Sequence, residues 1–258
     1  MPKINKDSTL NITLVGVGLC LLCSAIISFI AIQLRSVQEN NVVLDMQKKI
    51  VSSAGLEEFY GSVENAMSNI KTIIIDLDKG KIVDISPDSY ELSKELREDG
   101  KYKFLSAEED IASIKKREKY SKIYIEYKDN KINTLILPVR GYGLWGILYG
   151  YLAIEGDFNT VAGLEFYEHK ETPGLGAEID NPKWKALWKG KKIYQENGNV
   201  SLKVIKGSVQ KTSSNYNYEI DGLSGATLTC NGVSNLIAYW MGNDGFLNFI
   251  NNLQKIDV

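Results

Sequence analysis

An uncharged apolar run near the N-terminus constrains this chain more than any other feature of its sequence. The run covers Ile12–Ile32, 21 consecutive residues without a charged side chain. As an α-helix it would be about 31 Å long at ~1.5 Å per residue, which matches the hydrocarbon core of a bilayer at about 30 Å. The sequence therefore predicts a transmembrane helix over residues 12–32.

Two kinds of cleaved signal fit the same run less well. A secretory signal peptide has an apolar region of roughly 7–15 residues that ends in small residues, whereas this run is longer and continues into Gln33-Leu34-Arg35. A lipoprotein signal needs small residues before its cysteine, and leucine precedes both Cys20 and Cys23. An uncleaved helix is thus favoured, with the two cysteines interpreted as small apolar packing residues.

The charges on either side of the run leave its orientation undecided. Lys3 and Lys6 precede it, and Arg35, Lys48 and Lys49 follow it. The positive-inside rule compares basic residues across a membrane helix, and a count of two against three does not decide between the two orientations.

Composition limits the function of the remaining chain. Residues 36–258 carry 27 basic and 31 acidic side chains, which argues against a nucleic-acid binder with a broad basic field. Three cysteines and one histidine leave little for a zinc site, and an odd cysteine count excludes a fully paired disulfide framework. We therefore expect no metal site and no nucleic-acid partner.

Apolar residues recur with strand-like alternation in some segments and with helical spacing in others. These patterns predict an α+β fold, a single soluble domain with a mainly antiparallel sheet and flanking helices. The predicted strands cover 72–76 and 81–83 as a hairpin, then 123–127, 132–137, 144–154, 160–167 and 204–209. The predicted helices cover 41–53, 63–70, 108–119 and 182–189. A final amphipathic helix follows from the apolar positions Val233, Leu236, Ile237, Trp240 and Met241, whose spacing is i, i+3, i+4, i+7 and i+8.

Two short motifs resemble catalytic signatures without the context that these need. Residues 141–146 (GYGLWG) match G-x-G-x-x-G, but a strand pattern follows them where a dinucleotide fold requires a helix. Residues 222–226 (GLSGA) approach a nucleophile elbow. However, His169 precedes Ser224, whereas that hydrolase fold places its histidine last. We interpret the first motif as a glycine-rich bend and His169 as a surface or loop residue.

The segment 221–229 (DGLSGATLT) leads directly into the final predicted helix. Ser224, Thr227 or Thr229 could cap the helix with a hydroxyl oxygen, which is the commoner use of such residues. Alternatively, the unpaired N–H groups of the helix start could hold a phosphate. Spacing alone leaves both interpretations open.

The same residues resemble a known family. Residues 224–227 (SGAT) resemble the flavinylation motif of the C subunits of sodium-translocating NADH:quinone oxidoreductases and of the related G subunits of Rnf complexes. The resemblance implies that FMN is esterified through its phosphate to Thr227. Asp221, Ser224, Gly225 and Ala226 would complete the motif, and a flavin transferase that uses FAD and magnesium would attach the cofactor. Cys230 departs from the small hydroxylic residue expected at that position.

Two further segments extend the resemblance. Residues 171–178 (ETPGLGAE), preceded by His169 and Lys170, are similar to the family's second signature loop, and residues 143–151 are similar to its glycine and aromatic strand. The residues expected to surround the flavin ring are Leu144, Trp145, Thr172, Leu175 and Gly176. The flavin signatures lie within residues 141–240, and no catalytic side chain is expected beyond the flavin itself.

The resemblance implies a subunit of a membrane complex that relays electrons from NADH toward quinone, with sodium export by partner subunits. Residues 1–11 would form a short cytoplasmic N-terminus, residues 12–32 the membrane span and residues 33–258 a periplasmic FMN-binding domain at the bacterial inner membrane. Two alternatives remain at this point: the G subunit of an Rnf-type ferredoxin:NAD⁺ oxidoreductase, and a non-catalytic membrane-anchored extracytoplasmic sensor domain.

Overall fold

The computed structural model describes residues 8–256, so that Lys3, Lys6 and most of the predicted N-terminal segment 1–11 lie outside it. The chain divides into two compact units, the first ending at Met46 and the second beginning at Gln47. The first unit is helical, and the apolar side chains of the predicted span are exposed in it. Among the described residues, one helix is long and apolar enough to cross a membrane.

That helix, α1 (Thr9–Ser53), contains both the predicted span and the separate helix predicted at 41–53. The sequence between them holds no glycine or proline, and Arg35 pairs with Glu39 one turn later, with 2.9 Å between Nε and Oε1. No residue in this segment disfavours a helix, and α1 therefore continues to Ser53. Gly55 follows its end with a φ of 66°, in the left-handed region that favours glycine.

A six-stranded antiparallel sheet forms the centre of the second unit. Its spatial order is β2-β1-β5-β6-β7-β8. The strands are β1 (Ile70–Asp76), β2 (Lys81–Val83), β5 (Tyr120–Lys128), β6 (Lys131–Tyr142), β7 (Ile147–Glu155) and β8 (Val161–Glu168). Two small pairs lie outside it, the antiparallel β3 (Tyr102–Phe104) with β4 (Lys116–Glu118) and the parallel β9 (Lys203–Val204) with β10 (Glu219–Ile220).

Side-chain alternation along β7 gives the sheet two buried faces. Leu148 and Leu152 lie in the larger core, together with the buried side of α6 (Thr227–Trp240). Tyr151 lies in a smaller core on the other face, with Val51 from the last turn of α1. The remaining helices are α2 (Leu56–Tyr60), α3 (Val63–Ser68), α4 (Leu92–Glu95), α5 (Pro182–Lys185) and α7 (Leu247–Ile256). The fold is α+β with a mainly antiparallel sheet, as predicted.

The predicted helix at 108–119 is wrong. Ser106 and Glu109 exchange side-chain and backbone hydrogen bonds as they would at a helix start, but no helix follows. The Asp110 carboxylate instead accepts the N–H groups of Ile114 at 2.7 Å and Lys115 at 2.8 Å. Lys115 has a φ of 64°, so the backbone turns here and enters β4.

Several boundaries also differ from the predictions. Of the strand predicted at 204–209 only Val204 lies in a strand, as the second residue of β9, because the chain turns at Gly207 with a φ of 82°. Helix α3 ends at Ser68, α5 ends at Lys185, and β7 begins at Ile147 rather than at 144. Helix α7 was not predicted, because three asparagines in its sequence obscure the apolar pattern of the buried Phe249 and Ile250.

Candidate functional site

Helix α6 begins at Thr227 without a side-chain cap. Its N-cap residue is Ala226, whose N–H donates to the Leu223 carbonyl at 3.1 Å, and no side chain accepts a hydrogen bond from the first turn. The interpretation of Ser224, Thr227 or Thr229 as the cap is therefore wrong. Because the first N–H groups of a helix have no intrahelical acceptor, this end offers free donors and a partial positive charge.

The Thr227 side chain is exposed at this uncapped end. The turn before it contains Gly225 with a φ of 74°, and a Cβ at that position would lie 2.9 Å from Leu175 Cδ2. The loop that carries Leu175 therefore lies directly against the turn that presents Thr227.

Asp221 fixes the beginning of the same turn. Its Oδ1 accepts the N–H of Val209 at 2.7 Å, and its carbonyl accepts the indole N–H of Trp184 at 2.8 Å. Both contacts are to other segments of the domain, so Asp221 fixes the position of the beginning of the turn.

Glu171 joins three segments around the start of α6. Its carboxylate is buried, Oε2 accepts the hydroxyl of Thr229 at 2.5 Å, and Oε1 accepts the backbone N–H groups of Leu144 and Trp145, both at 3.0 Å. The bend at 141–146 is thereby held beside the loop that follows β8 and beside the first turn of α6. The Glu171 N–H in turn donates to His169 Nδ1 at 3.2 Å.

Exposed apolar side chains surround these segments. The exposed fractions are 38% for Leu144, 62% for Trp145, 44% for Leu175 and 58% for Leu228. Leu228 lies outside the buried face of α6. It was not predicted as a site residue, although it directly follows the SGAT motif in the sequence. Large apolar side chains that remain exposed together on one part of the surface indicate a binding site for an apolar ligand.

The structure brings the predicted site residues together. Thr172 is exposed, and its carbonyl accepts the N–H groups of Leu175 and Ala177, both at 3.1 Å, which closes the loop around the buried Gly176. Glu171 and Thr229, which were not predicted as site residues, form the connections between the parts of the site.

A cleft of about 400 Å³ lies on one side of Thr227. It is lined by residues 204–208 and 222–225 and by Thr227, Cys230 and Asn231. Lys206 and Ser208 give this side of the motif a polar and basic wall, in contrast to the apolar side chains of the bend.

The G-x-G-x-x-G match at 141–146 and His169 do not have the structural context of a dinucleotide site or a hydrolase site. The bend at 141–146 connects β6 and β7 and closes with a bond from the Gly143 N–H to the Gly146 carbonyl at 2.8 Å, so no dinucleotide helix follows it. His169 lies in the loop after β8, partly buried, with its Nε2 2.8 Å from Asp180 Oδ2.

Cys230 lies one turn into α6, behind Thr227. Its Sγ accepts the Leu223 N–H at 3.2 Å, and burial raises the pKa of this thiol above its ordinary value. A raised pKa lowers the thiolate fraction at a given pH, and the thiolate is the nucleophile in alkylation.

We therefore expect Cys230 to react with iodoacetamide at pH 8 about tenfold or more slowly in the folded chain than after unfolding in urea. Peptide mass spectrometry after timed alkylation measures both rates on the same residue. Equal rates in the two states would contradict the burial of this thiol.

Comparison with known proteins gives a consistent result. Residues 143–242 match the FMN-binding domain family. The chain is 47% identical over 256 residues to the C subunit of the Na(+)-translocating NADH-quinone reductase of Pseudomonas aeruginosa, covering 97% of this chain and 98% of the relative. The C subunit of the Vibrio anguillarum reductase is 39% identical over 246 residues, covering 95% of each chain.

The chain belongs to the family of the C subunits of Na(+)-translocating NADH-quinone reductases.

Solved structures agree with this membership. The crystal structure of Shewanella oneidensis NqrC superimposes with a TM-score of 0.74 at 31% identity, covering 81% of this chain and 96% of that one. The crystal structure of the C subunit from Parabacteroides distasonis gives a TM-score of 0.62 at 25% identity, with coverages of 84% and 96%. Membership in the NqrC family decides against both alternatives, the Rnf-type G subunit and the non-catalytic sensor domain.

Proposed function

We propose that this chain is the subunit of a sodium-translocating NADH:quinone reductase that carries FMN esterified through its phosphate to Thr227. The attached flavin would relay electrons from NADH toward quinone, and partner subunits would move sodium. The observation that carries the proposal is the exposed Thr227 hydroxyl at the uncapped start of α6, inside the segment that matches FMN-binding domains.

The start of α6 fits a phosphodiester. A free phosphate monoester carries a charge of about −1.5 to −2, and esterification to a hydroxyl leaves one negative charge. The unpaired N–H groups and the partial positive charge of the helix end can hold that single charge. Lys206 in the wall of the cleft beside Thr227 adds a cation to the same region.

The surroundings of Thr227 fit a flavin ring. Leu144, Trp145 and Leu175 are exposed on segments that reach the start of α6. A covalent bond removes the translational cost of binding, so a partly open site can retain its cofactor. Bound FMN supplies one- and two-electron redox chemistry, while the protein orients the ring and excludes water from its apolar side.

The membrane arrangement belongs to the same proposal. Residues 12–32 of α1 would span the bacterial inner membrane, and residues 33–258 would form the FMN-binding domain on the periplasmic side. Other subunits of the complex would deliver and accept the electrons. A flavin transferase would join the Thr227 oxygen to the FMN phosphorus of FAD, with AMP as the leaving group.

Peptide mass spectrometry of the full chain, purified after co-expression with a flavin transferase, tests the attachment. We expect the peptide that contains Thr227 to carry the mass of FMN less one water, and fragmentation to place the adduct on Thr227. An unmodified Thr227 peptide from a preparation with full reductase activity would contradict the proposal.

A further inference from the structure

We infer that Glu171 is a positioning residue for the flavin: its buried carboxylate fixes the bend that carries Leu144 and Trp145 relative to the start of α6 that carries Thr227. The inference rests on the proposed function, because it concerns the orientation of a flavin attached at Thr227. It assigns a task to a side chain that the attachment chemistry does not use.

The contacts of Glu171 carry the inference. One carboxylate oxygen accepts two consecutive backbone N–H groups of the bend, both at 3.0 Å, and the other accepts the Thr229 hydroxyl at 2.5 Å. Thr229 is fully buried and lies two residues after Thr227 on α6. A single planar group therefore joins the tip of the bend to the first turn of α6, two segments that lie far apart in sequence.

Two glycines make room for this carboxylate. A Cβ at Gly143 would lie 2.7 Å from Glu171 Oε1, and a Cβ at Gly176 would lie 2.5 Å from Oε2 and 2.6 Å from Thr229 Oγ1. Real Cβ atoms do not approach so closely, so any side chain at either position would displace the carboxylate. The glycines at 143 and 176 are thus explained by the close approach of Glu171.

The strength of these bonds suits a positioning role. Hydrogen bonds to an ionised acceptor are roughly twice as strong as neutral ones, and burial shields them from competing water. Removal of the carboxylate would leave three donors without their acceptor. No other side chain among the described residues bridges the bend and Thr229 in this way.

The expected consequence concerns orientation. The bend supplies two of the exposed apolar side chains proposed to face the ring, and α6 supplies the attachment point. The base of the bend also packs against α6 at Gly232, so that removal of Glu171 would release chiefly the tip of the bend, which carries Leu144 and Trp145. The covalent bond at the phosphate restrains only one end of the cofactor and would not replace this contact. The flavin would then remain attached while its ring samples several orientations.

The test uses the full chain, flavinylated by co-expressed transferase, with the variants Glu171→Ala, Thr229→Val and Thr229→Ser. Glu168→Ala is the matched control, because this exposed glutamate ends β8 three residues earlier. Covalent flavin is measured by fluorescence on a denaturing gel. Flavin orientation is measured on native protein, per mole of attached flavin, by visible circular dichroism and fluorescence anisotropy.

We expect the flavin circular dichroism of Glu171→Ala and Thr229→Val to fall to about half of the wild-type value or less, because a site must hold its geometry to within about 0.5 Å. Their anisotropy should fall as well. Thr229→Ser retains the hydroxyl and should keep the wild-type signals, as should Glu168→Ala. A role in stability alone would lower the amount of folded protein in Thr229→Val without changing the two signals per mole of attached flavin in the protein that remains folded.

Wild-type circular dichroism and anisotropy in Glu171→Ala and Thr229→Val would overturn the inference. If Glu171→Ala fails to fold, the comparison of Thr229→Val with Thr229→Ser decides alone. An absence of covalent flavin from the wild-type chain on the denaturing gel would be a failure of the proposed function instead, and the two failures are seen in different measurements.

Discussion

A Thr227→Ala variant is expected to lose all of its covalent flavin while it folds as the wild type does. The substitution removes the hydroxyl that would accept the phosphoryl group, together with the γ-methyl of the threonine. Its side chain is exposed at the first position of α6, and alanine is a good helix former. Surface substitutions of this kind change stability by about 0.5 kcal/mol or less.

Fluorescence of the denatured chain on a gel measures the loss directly, because a flavin that is not covalently bound is removed by denaturation. Thr212→Ala is the matched control, since Thr212 is an exposed threonine of the same domain outside the motif. We expect full fluorescence from the control and none from Thr227→Ala. Thermal melting of both variants checks that the fold is retained.

If the Thr227→Ala band is as bright as the wild-type band, the flavin is attached to another residue. Thr229 is a poor candidate for that role, because its hydroxyl is fully buried and donates to Glu171. Ser224 is exposed on the turn before α6, and peptide mapping of the bright variant would identify it.

Local patterns in the sequence predicted the elements that support the site. The apolar positions Val233, Leu236, Ile237 and Trp240 are buried on one face of α6, as their spacing indicated. The hairpin of β1 and β2 and the long strands β5 to β8 are confirmed in position, because alternation reports which residues face a core. Each of these predictions depends on neighbours that are close in sequence.

The connections within the site could not be predicted in this way. Glu171 lies 27 residues from Leu144 and 58 residues from Thr229, and no local pattern reports a contact at such separations. The glycines at 143 and 176 were visible, but the reason for them is the space that Glu171 occupies. The segment 108–119 failed for a different reason: Asp110 turns the backbone through hydrogen bonds to residues four and five positions later, and the pattern of charged and apolar residues does not report them.

The end of β6 beneath the site depends on a buried ion pair. Arg140 Nη2 lies 2.6 Å from Glu118 Oε2, and both side chains are almost fully buried. Burial disfavours the charged guanidinium, but the Glu118 carboxylate outweighs that effect and raises the pKa of Arg140. The Arg140 carbonyl also accepts the indole N–H of Trp240 on α6 at 2.7 Å.

We expect Arg140→Met to lower the free energy of unfolding by about 3–5 kcal/mol, because it leaves the Glu118 carboxylate buried without its cation. Urea denaturation of the full chain in detergent measures the change. The double variant Arg140→Met/Glu118→Gln should recover most of the loss, since it removes the stranded charge, whereas the exposed Arg97→Met should change stability by about 0.5 kcal/mol or less. A loss in the double variant as large as in Arg140→Met would show that the stranded Glu118 charge is not the cause, and that the other contacts of the guanidinium, with the Lys116 carbonyl and the Trp240 ring, stabilise the junction of β6 and α6.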